Sequence, residues 1–258
     1  MELLGKKTNA QIFYRNLQKK VEQKQKTMIP ILELEDGSDL DVNNCKDLAL
    51  HLSTIGFVYL RNHGISAEKI QNCRTVAKKF FARGNEFKEC FSEDFTDRHV
   101  GYKPWESERL NPAQKEKDAR EAILFDAHHI QSNIWPDSSF EETMIPLIRD
   151  MGQLTLKVLK MIGIGLGLKN PNVLADAHSA FCLSDNAESK SLTTFRINYY
   201  AKLEKNQLKE DQVQCGEHAD FGSITLLIQD HVRGLEVFPF HQQTFLRLMK
   251  SENYGHLF

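Results

Sequence analysis

Residues 216–223 read Gly-Glu-His-Ala-Asp-Phe-Gly-Ser, and the apolar run Ile-Thr-Leu-Leu-Ile follows at residues 224–228. The apolar run predicts a β-strand. Alternate side chains of an extended chain share a face, so His218 and Asp220 are expected to point the same way. One imidazole nitrogen and one carboxylate oxygen suit two positions of the 2-His-1-carboxylate triad that holds ferrous iron. The segment therefore predicts part of an iron site, which needs a second histidine from another strand.

A His-x-Asp sequence also has other interpretations. It is more often a solvated pair, or a histidine whose hydrogen bonds are purely structural. A zinc site formed by Cys215, His218 and Asp220 is a further alternative, although a single Cys-x-x-His has no matching second pair in this chain. The neighbouring sequence is needed to choose between these interpretations.

The segments on both sides of this stretch resemble those of a known family. Upstream lies Phe-Arg-Ile-Asn-Tyr-Tyr at residues 195–200, and downstream lies Gly-Leu-Glu-Val at residues 234–237. Nearer the N-terminus, Gly-Phe and Asn-His-Gly occur within residues 56–64, and Asp-Ala-Arg-Glu occurs at residues 118–121. In order and spacing, these segments resemble the 2-oxoglutarate- and Fe(II)-dependent oxygenases of the isopenicillin N synthase type.

The resemblance implies an α+β fold with a double-stranded β-helix (jelly-roll) core and a helical N-terminal region. It implies an enzyme, a non-haem iron dioxygenase that oxidises a small organic substrate using Fe(II) and 2-oxoglutarate, with ascorbate as a candidate reductant. His218 and Asp220 would be the metal ligands. Asn198 and Tyr200 match the asparagine and second tyrosine that the family places near the co-substrate carboxylate. No catalytic residue beyond the metal ligands is predicted.

The resemblance ends at Val237. In the family, a second histidine and an Arg-x-Ser that pairs with 2-oxoglutarate lie several dozen residues beyond the aspartate. Only 38 residues follow Asp220, and they contain no Arg-x-Ser. The later histidines lie in a predicted turn (His231) or in a tail without a strand signal (His241 and His256). We therefore expect a jelly roll that is incomplete at its C-terminal side, in a shortened form of the protein.

A shortened jelly roll is also compatible with a protein that is not an enzyme. Missing strands leave unpaired sheet edges, and two protein ligands hold iron more weakly than a complete site. The alternative to an enzyme is therefore a non-catalytic isoform that acts as a binding or regulatory partner, including hetero-association with a full-length form.

Five stretches of sequence are predicted to organise the chain. The first is rich in Lys and Gln, and the last departs from the family. They are a basic leader (1–27), an N-terminal oxygenase region (28–130), a long bracing helix (131–170), the first part of the jelly-roll domain (171–237) and a divergent tail (238–258).

Capping residues and apolar periodicity predict three helices. One begins near Asp41, and a second begins after Ser66. A third begins with a capping box at Ser138 and Ser139. The neighbouring histidines at positions 128 and 129 are predicted to be poor joint metal ligands, because adjacent side chains diverge.

Composition indicates the class of protein and its cellular compartment, but it does not indicate the reaction. The chain has 258 residues, a formal net charge of -2 and 41% hydrophobic residues, which is ordinary for a globular protein and gives no electrostatic footprint for nucleic acid. No apolar run approaches a membrane span, and no signal pattern opens the chain. Five scattered cysteines are typical of reduced thiols. We therefore predict a cytoplasmic protein that acts on a small molecule, without nucleic acid or membrane as a partner.

Overall fold

A computed structural model of the chain describes residues 29–34, 40–92, 100–178, 193–204, 207–232, 234–239, 246–247 and 255–257. The contacts within the chain divide it into two units. The first holds the described residues of Met1–Gly64, Thr155–Asp176 and Gly222–Phe258, and the second holds those of Ile65–Leu154 and Ala177–Phe221. The predicted basic leader lies outside the described residues, and the five predicted stretches stay a prediction.

Helix α1 (Val42–Thr54) begins in the first unit where Asp41 caps it. The Asp41 carboxylate accepts the backbone N–H groups of Asn43 and Asn44 at 3.2 and 3.1 Å, which satisfies donors that have no partner inside the helix. Strand β1 (Ile31–Glu33) precedes the helix and pairs in parallel with β2 (Val58–Arg61), which follows it. The helix predicted from Asp41 is confirmed.

Later parts of the chain complete the sheet of the first unit. Its strand order is β1-β2-β9-β6, and β9 (Gly255–Leu257) runs antiparallel to both β2 and β6 (Leu226–Leu227). A separate antiparallel pair is formed by β7 (Glu236–Val237) and β8 (Leu246–Arg247). The tail, in which no strand signal was found, thus contains β8 and β9. Both are too short to show a periodic pattern, and β9 pairs with strands that lie far away in the sequence.

An apolar cluster lies in the first unit. It consists of Ile29, Ile55, Tyr59, Val237 and Leu246, all less than a tenth exposed. Burying each side chain of this size contributes about 1.5–3 kcal/mol relative to leaving it in water. Because Leu246 belongs to the cluster, the tail contributes to this core.

The second unit contains an antiparallel sheet and several helical segments. Helix α2 (Ala67–Phe81) is capped by Ser66, whose hydroxyl accepts the backbone N–H of Lys69 at 3.0 Å, as predicted. Helix α3 (Asn85–Glu89) follows. The sheet has the order β3-β4-β5 and is made of β3 (Gly101–Lys103), β4 (Glu121–Asp126) and β5 (Thr194–Tyr199). Strand β4 is buried from its second residue to its last. Its residues 122–125 are all apolar, and the buried Asp126 ends the strand.

Aromatic side chains fill the interior of the second unit. The ring of Phe80 is the centre of the cluster, and its centroid lies 5.2–6.4 Å from those of Phe81, Phe87, Phe91, Tyr102 and Phe140. These tilted and edge-on arrangements are the ones that aromatic pairs favour. The two phenylalanines at the end of α2 thus contact the sheet, Phe80 through Tyr102 of β3 and Phe81 through Tyr199 of β5.

The longest helix, α4 (Ser138–Gly165), is observed where a helix was predicted. Its cap differs from the prediction. Asp137 precedes both serines, and its Oδ1 accepts the backbone N–H of Phe140 at 2.8 Å. A short helix, α5 (Val173–Ala177), lies in the stretch that was predicted to begin the jelly-roll domain.

A close approach of two helices in the first unit requires a glycine. A Cβ atom at Gly165, the last residue of α4, would lie 2.0 Å from the carbonyl oxygen of Cys45 and 2.8 Å from the Cβ of Ala49. Both neighbours belong to α1. Any side chain at position 165 would therefore push these helices apart.

The chain contains both helices and sheets, and most of its paired strands are antiparallel. The predicted α+β class is therefore confirmed. Among the helices of the described ranges, none is both long and apolar enough to span a bilayer.

Candidate metal centre

The segment 213–220 is held by the loop that precedes β4. The carbonyl oxygen of Val213 accepts the backbone N–H of Ala119 at 2.9 Å. The N–H of Gly216 donates to the Asp118 carboxylate at 3.2 Å. The segment is irregular, and the strand predicted for residues 224–228 is limited to the two residues of β6. Bonds to a loop, and not a sheet ladder, therefore position His218.

The side chains of His218 and Asp220 converge. His218 Nε2 lies 3.3 Å from Asp220 Oδ1, and His218 Nδ1 lies 2.8 Å from the carbonyl oxygen of Gly216. A carbonyl oxygen only accepts, so this geometry assigns a hydrogen to Nδ1 and directs Nε2 towards Asp220. A backbone carbonyl at one ring nitrogen is the usual arrangement for a histidine that binds a metal through the other. The two donor atoms fit two adjacent positions on ferrous iron.

Neighbouring groups hold a proton on His218. The hydrogen bond to Asp220, together with one to the Cys215 thiol, raises the pKa of His218 to about 10. Burial opposes ionisation of Cys215, but the hydrogen bond with His218 and the charge of Arg120 leave the pKa of that thiol below its ordinary value. A metal ligand must be deprotonated, so a cation at this pair competes with the proton on Nε2.

The described residues bring no third ligand to this pair. Across those ranges, no three His, Cys, Asp or Glu side chains are grouped as a metal site. The alternative zinc site of Cys215, His218 and Asp220 is therefore not formed there. Of the later histidines, His231 is described and exposed, and His241 lies outside the described residues. His256 is placed only as a backbone position in β9.

Asn198 and Tyr200 lie on and just after β5. The Oδ1 atom of Asn198 accepts hydrogen bonds from Arg196 Nε at 2.7 Å and Arg120 Nη1 at 3.3 Å. Tyr200 is 43% exposed as a whole, but desolvation around its phenol, and then the charge of Cys215, raise its pKa to about 12 against the opposing charge of Arg120. The phenol therefore stays protonated at neutral pH and is able to donate. That these two residues bind the co-substrate stays a prediction.

A charged network beside Asn198 was not predicted from the sequence. Arg120 and Arg196 both bind the carboxylate of Glu108, Arg120 through Nη2 at 3.2 Å and Arg196 through both of its terminal nitrogens. Arg120 is 4% exposed, and its Nε has no hydrogen-bond partner among the described residues. The available signal was the charged run at residues 118–121 directly before an apolar strand, but its partners lie far away in the sequence.

A second carboxylate–histidine group lies at the end of β4. Asp126 Oδ1 accepts the backbone N–H groups of His128 and His129, both at 2.8 Å, and Oδ2 lies 3.0 Å from His129 Nδ1. The two imidazole rings touch edge-on, with centroids 4.3 Å apart. Adjacent side chains were expected to diverge, but the turn after the strand brings them together. They do not form part of a three-residue metal group among the described residues.

Sequence comparisons connect this chain with oxidoreductases. The profile of the family described as non-haem dioxygenase in morphine synthesis N-terminal matches residues 29–138. The 2-oxoglutarate-Fe(II) type oxidoreductase ppzD of Metarhizium majus is 29% identical over 220 residues, which cover 75% of this chain. The chain spans 60% of the length of that relative.

Solved structures with a similar fold include two that contain the co-substrate. A full-length protein of Neurospora crassa, crystallised in complex with alpha-KG and thymine, has a TM-score of 0.73 at 24% identity; the match covers 91% of this chain and 74% of that protein. Dioxygenase for auxin oxidation 1 of Arabidopsis thaliana, in a complex with 2-oxoglutarate, has a TM-score of 0.65 at 19% identity, over 89% of this chain and 79% of its own. At these identities the likeness shows the fold, and the predicted jelly-roll core is confirmed.

Proposed function

We propose that this chain is a member of the 2-oxoglutarate- and Fe(II)-dependent oxygenases, which its similarity to them supports, and that His218 and Asp220 hold the iron of a dioxygenase. The reaction is the oxidation of a small organic substrate. The observation that supports this proposal is the 3.3 Å distance between His218 Nε2 and Asp220 Oδ1, with His218 Nδ1 held by the Gly216 carbonyl. The cofactors of the family are Fe(II) and 2-oxoglutarate.

Ferrous iron with 2-oxoglutarate, when bound, supplies the activation of dioxygen. The residues of the chain prepare its site. The Gly216 carbonyl retains the hydrogen on Nδ1 of His218, so Nε2 is the nitrogen that releases its proton on metal binding. Asp220 brings a negative charge that offsets part of the charge of the cation.

Tyr200 is proposed to bind a carboxylate of 2-oxoglutarate. Its raised pKa of about 12 keeps the hydroxyl protonated as a donor. A hydroxyl donating to a carboxylate forms a charge-assisted bond, which is stronger than a neutral one. Asn198 contributes by holding Arg120 and Arg196 in place through its Oδ1 atom.

Anaerobic Fe(II) titration of the wild type, His218→Ala and Asp220→Ala tests the metal site. We expect the wild type to bind Fe(II), and to gain a charge-transfer absorption on adding 2-oxoglutarate. Both properties should be lost in the two variants. Glu217→Ala is the matched control, because Glu217 is exposed and directly precedes His218. Wild-type Fe(II) binding in both ligand variants contradicts the proposal.

A non-catalytic function is the second candidate, because the described residues bring only His218 and Asp220 together as a metal-binding pair, and two protein ligands hold iron weakly. In this function the chain is a binding or regulatory partner, including of a full-length form. Release of succinate from 2-oxoglutarate under air, with and without ascorbate, decides between the two. Turnover supports the enzyme, whereas binding of Fe(II) and 2-oxoglutarate without succinate supports the binding function.

A cytoplasmic location is proposed from the cysteines. Cys45, Cys73, Cys90 and Cys215 are free thiols, which is typical of a reducing compartment. Alkylation of these thiols in protein purified without reductant is expected, and a disulfide between any two of them would contradict this location.

A further inference from the structure

Asp118 is a buried carboxylate that joins two backbone segments of the second unit. Its exposure is 0%. Oδ1 accepts the N–H of Gly216 at 3.2 Å, and Oδ2 accepts the N–H of Leu110 at 3.3 Å. Arg120 Nη2 lies 3.7 Å from Oδ2 and balances the charge. A carboxylate without solvent needs these partners, so its position is determined by all of them together.

Gly216 connects Asp118 to His218. Its N–H is bound by Asp118, and its carbonyl oxygen lies 2.8 Å from His218 Nδ1. The residue has no room to move towards the loop, since a Cβ atom there would lie 2.0 Å from Gln114 Oε1 and 3.0 Å from the backbone nitrogen of Asn111. The loop thus restrains the peptide groups on either side of the Gly216 Cα.

We propose that Asp118 is a positioning residue of the metal centre. By fixing Gly216, it places the carbonyl oxygen that orients the imidazole, and this orientation presents Nε2 beside Asp220. Asp118 does not touch the cation itself. The inference rests on the proposed function, because it takes His218 as a metal ligand. Outer partners of ligating histidines change metal affinity by about 10–100-fold, which is the effect expected here.

A buried carboxylate also stabilises a fold, and Asp126 provides the matched control for that role. Asp126 is 5% exposed and likewise accepts two backbone N–H groups, from His128 and His129. In either residue, replacement by Asn exchanges one acceptor oxygen for an NH2 group. In Asp118 the two N–H groups use different oxygens, so one of them loses its acceptor. In Asp126 the NH2 group takes the place of the oxygen that faces His129 Nδ1. Only Asp118 makes this bond to Gly216.

Co(II) binding to the full chain under argon tests the inference. Calorimetry gives the dissociation constant, and the visible absorption of Co(II) reports the ligand geometry. We expect Asp118→Asn to bind Co(II) about 10–100-fold more weakly, with an altered visible spectrum. Asp126→Asn should keep the wild-type affinity and spectrum although it lowers thermal stability. His218→Ala should lose Co(II) binding.

The outcomes separate this inference from the proposed function. Wild-type affinity and spectrum in Asp118→Asn, together with loss of binding in His218→Ala, overturn the inference alone. Wild-type binding in His218→Ala removes the proposed function, and the inference with it. An equal loss of affinity in Asp118→Asn and Asp126→Asn also overturns the inference, because general destabilisation then explains the effect.

A second pair of variants applies if Asp118→Asn does not fold. Gly216→Ala forces the carbonyl away from its place without changing Asp118, since the added methyl would meet Gln114 Oε1 at 2.0 Å. We expect Gly216→Ala to weaken Co(II) binding, and Gln114→Ala in the same chain to restore part of it. Unchanged affinity in Gly216→Ala overturns the inference.

Discussion

At the scale of single residues, the second unit depends on four charged groups that neutralise one another. Arg120 and Arg196 share the Glu108 carboxylate, and Arg120 also faces Asp118. Arg120 is almost completely buried, so water offers no replacement for a lost partner. Removing one member leaves a buried charge, which costs far more than the pair as a whole contributes.

Arg120→Met is expected to lower the free energy of unfolding by about 3–5 kcal/mol, because Asp118 and Glu108 then lose a buried partner. Urea unfolding followed by circular dichroism measures the change. Arg61→Met is the matched control, since Arg61 and its partner Glu33 are 38% and 47% exposed. An exposed pair contributes about 0–1 kcal/mol. Similar losses in the two variants would show that Arg120 is not in a buried network.

The pH dependence of stability should carry a contribution from Asp126. Burial works against its charge, but the N–H groups of His129 and His128 and the His129 ring outweigh it, so the pKa of Asp126 is lowered. A lowered folded-state pKa stabilises the protein above the unfolded pKa of about 3.9, and this stabilisation is lost as the pH falls through the folded pKa. The free energy of unfolding of the wild type should therefore exceed that of Asp126→Asn at pH 6. The difference should shrink below about pH 4, as measured by urea unfolding at both pH values; a difference that grows on acidification contradicts the assignment.

At the scale of elements, the contact between α1 and the end of α4 leaves no space for a side chain at position 165. Backbone atoms of Cys45 approach Gly165 directly, and a backbone oxygen has no rotamer by which to avoid an added methyl. Packing of these helices is therefore decided by the lack of a side chain at position 165. The same contact explains why a glycine occurs in a helix, where it is otherwise unfavourable.

Gly165→Ala is expected to destabilise the protein by about 1–3 kcal/mol, the usual cost of overpacking. Helix propensity alone predicts the opposite sign, a gain of about 0.5–1 kcal/mol. Thermal unfolding of the variant therefore distinguishes steric contact from propensity. Gly222→Ala is the control, because a Cβ there would meet its nearest neighbour, the carbonyl oxygen of Ile224, at an ordinary 3.7 Å. A rise in stability for Gly165→Ala would contradict the close approach.

At the scale of the whole molecule, each unit is assembled from separate stretches of sequence. In the first unit, β9 lies between β2 and β6, which are about 200 and 30 residues away from it along the chain. Strand β9 covers one edge of β2 and one edge of β6. If β9 no longer pairs, both of these edges are left without hydrogen-bond partners.

His256→Pro is expected to break the four-stranded sheet, because position 256 pairs with both Tyr59 and Leu227. Proline removes the N–H, and each backbone group left unsatisfied costs about 1–3 kcal/mol. Size-exclusion chromatography with light scattering should show aggregation of this variant. His256→Thr, which retains the N–H and favours strands, should remain like the wild type. Equal behaviour of the two variants would exclude β9 from a central place.

Much of the fold and part of the site were predictable from the sequence. The predictable features depend on residues that are close together in the chain, and the others depend on residues that are far apart. Asp41 and Ser66 cap helices through residues two or three positions away, so α1 and α2 could be read from the sequence. The two-residue period suggested that His218 and Asp220 share a side, and their atoms do converge. The bonds between Glu108 and Arg196, and the pairing of β9 with β2, join residues far apart in the chain. No local pattern encodes such pairs, and for this reason Asp118 and Arg120 entered the sequence analysis only as part of the family resemblance.

The central place of β9 has a consequence for biosynthesis. The ribosome makes β2 and β6 before β9, and translation at about 5–20 residues per second leaves β2 without this neighbour for roughly 10–40 s. During that interval the edges of both strands are open to other nascent chains. We therefore expect holdase chaperones to engage the first unit on the ribosome, and to let it go once Gly255–Leu257 has emerged and inserted.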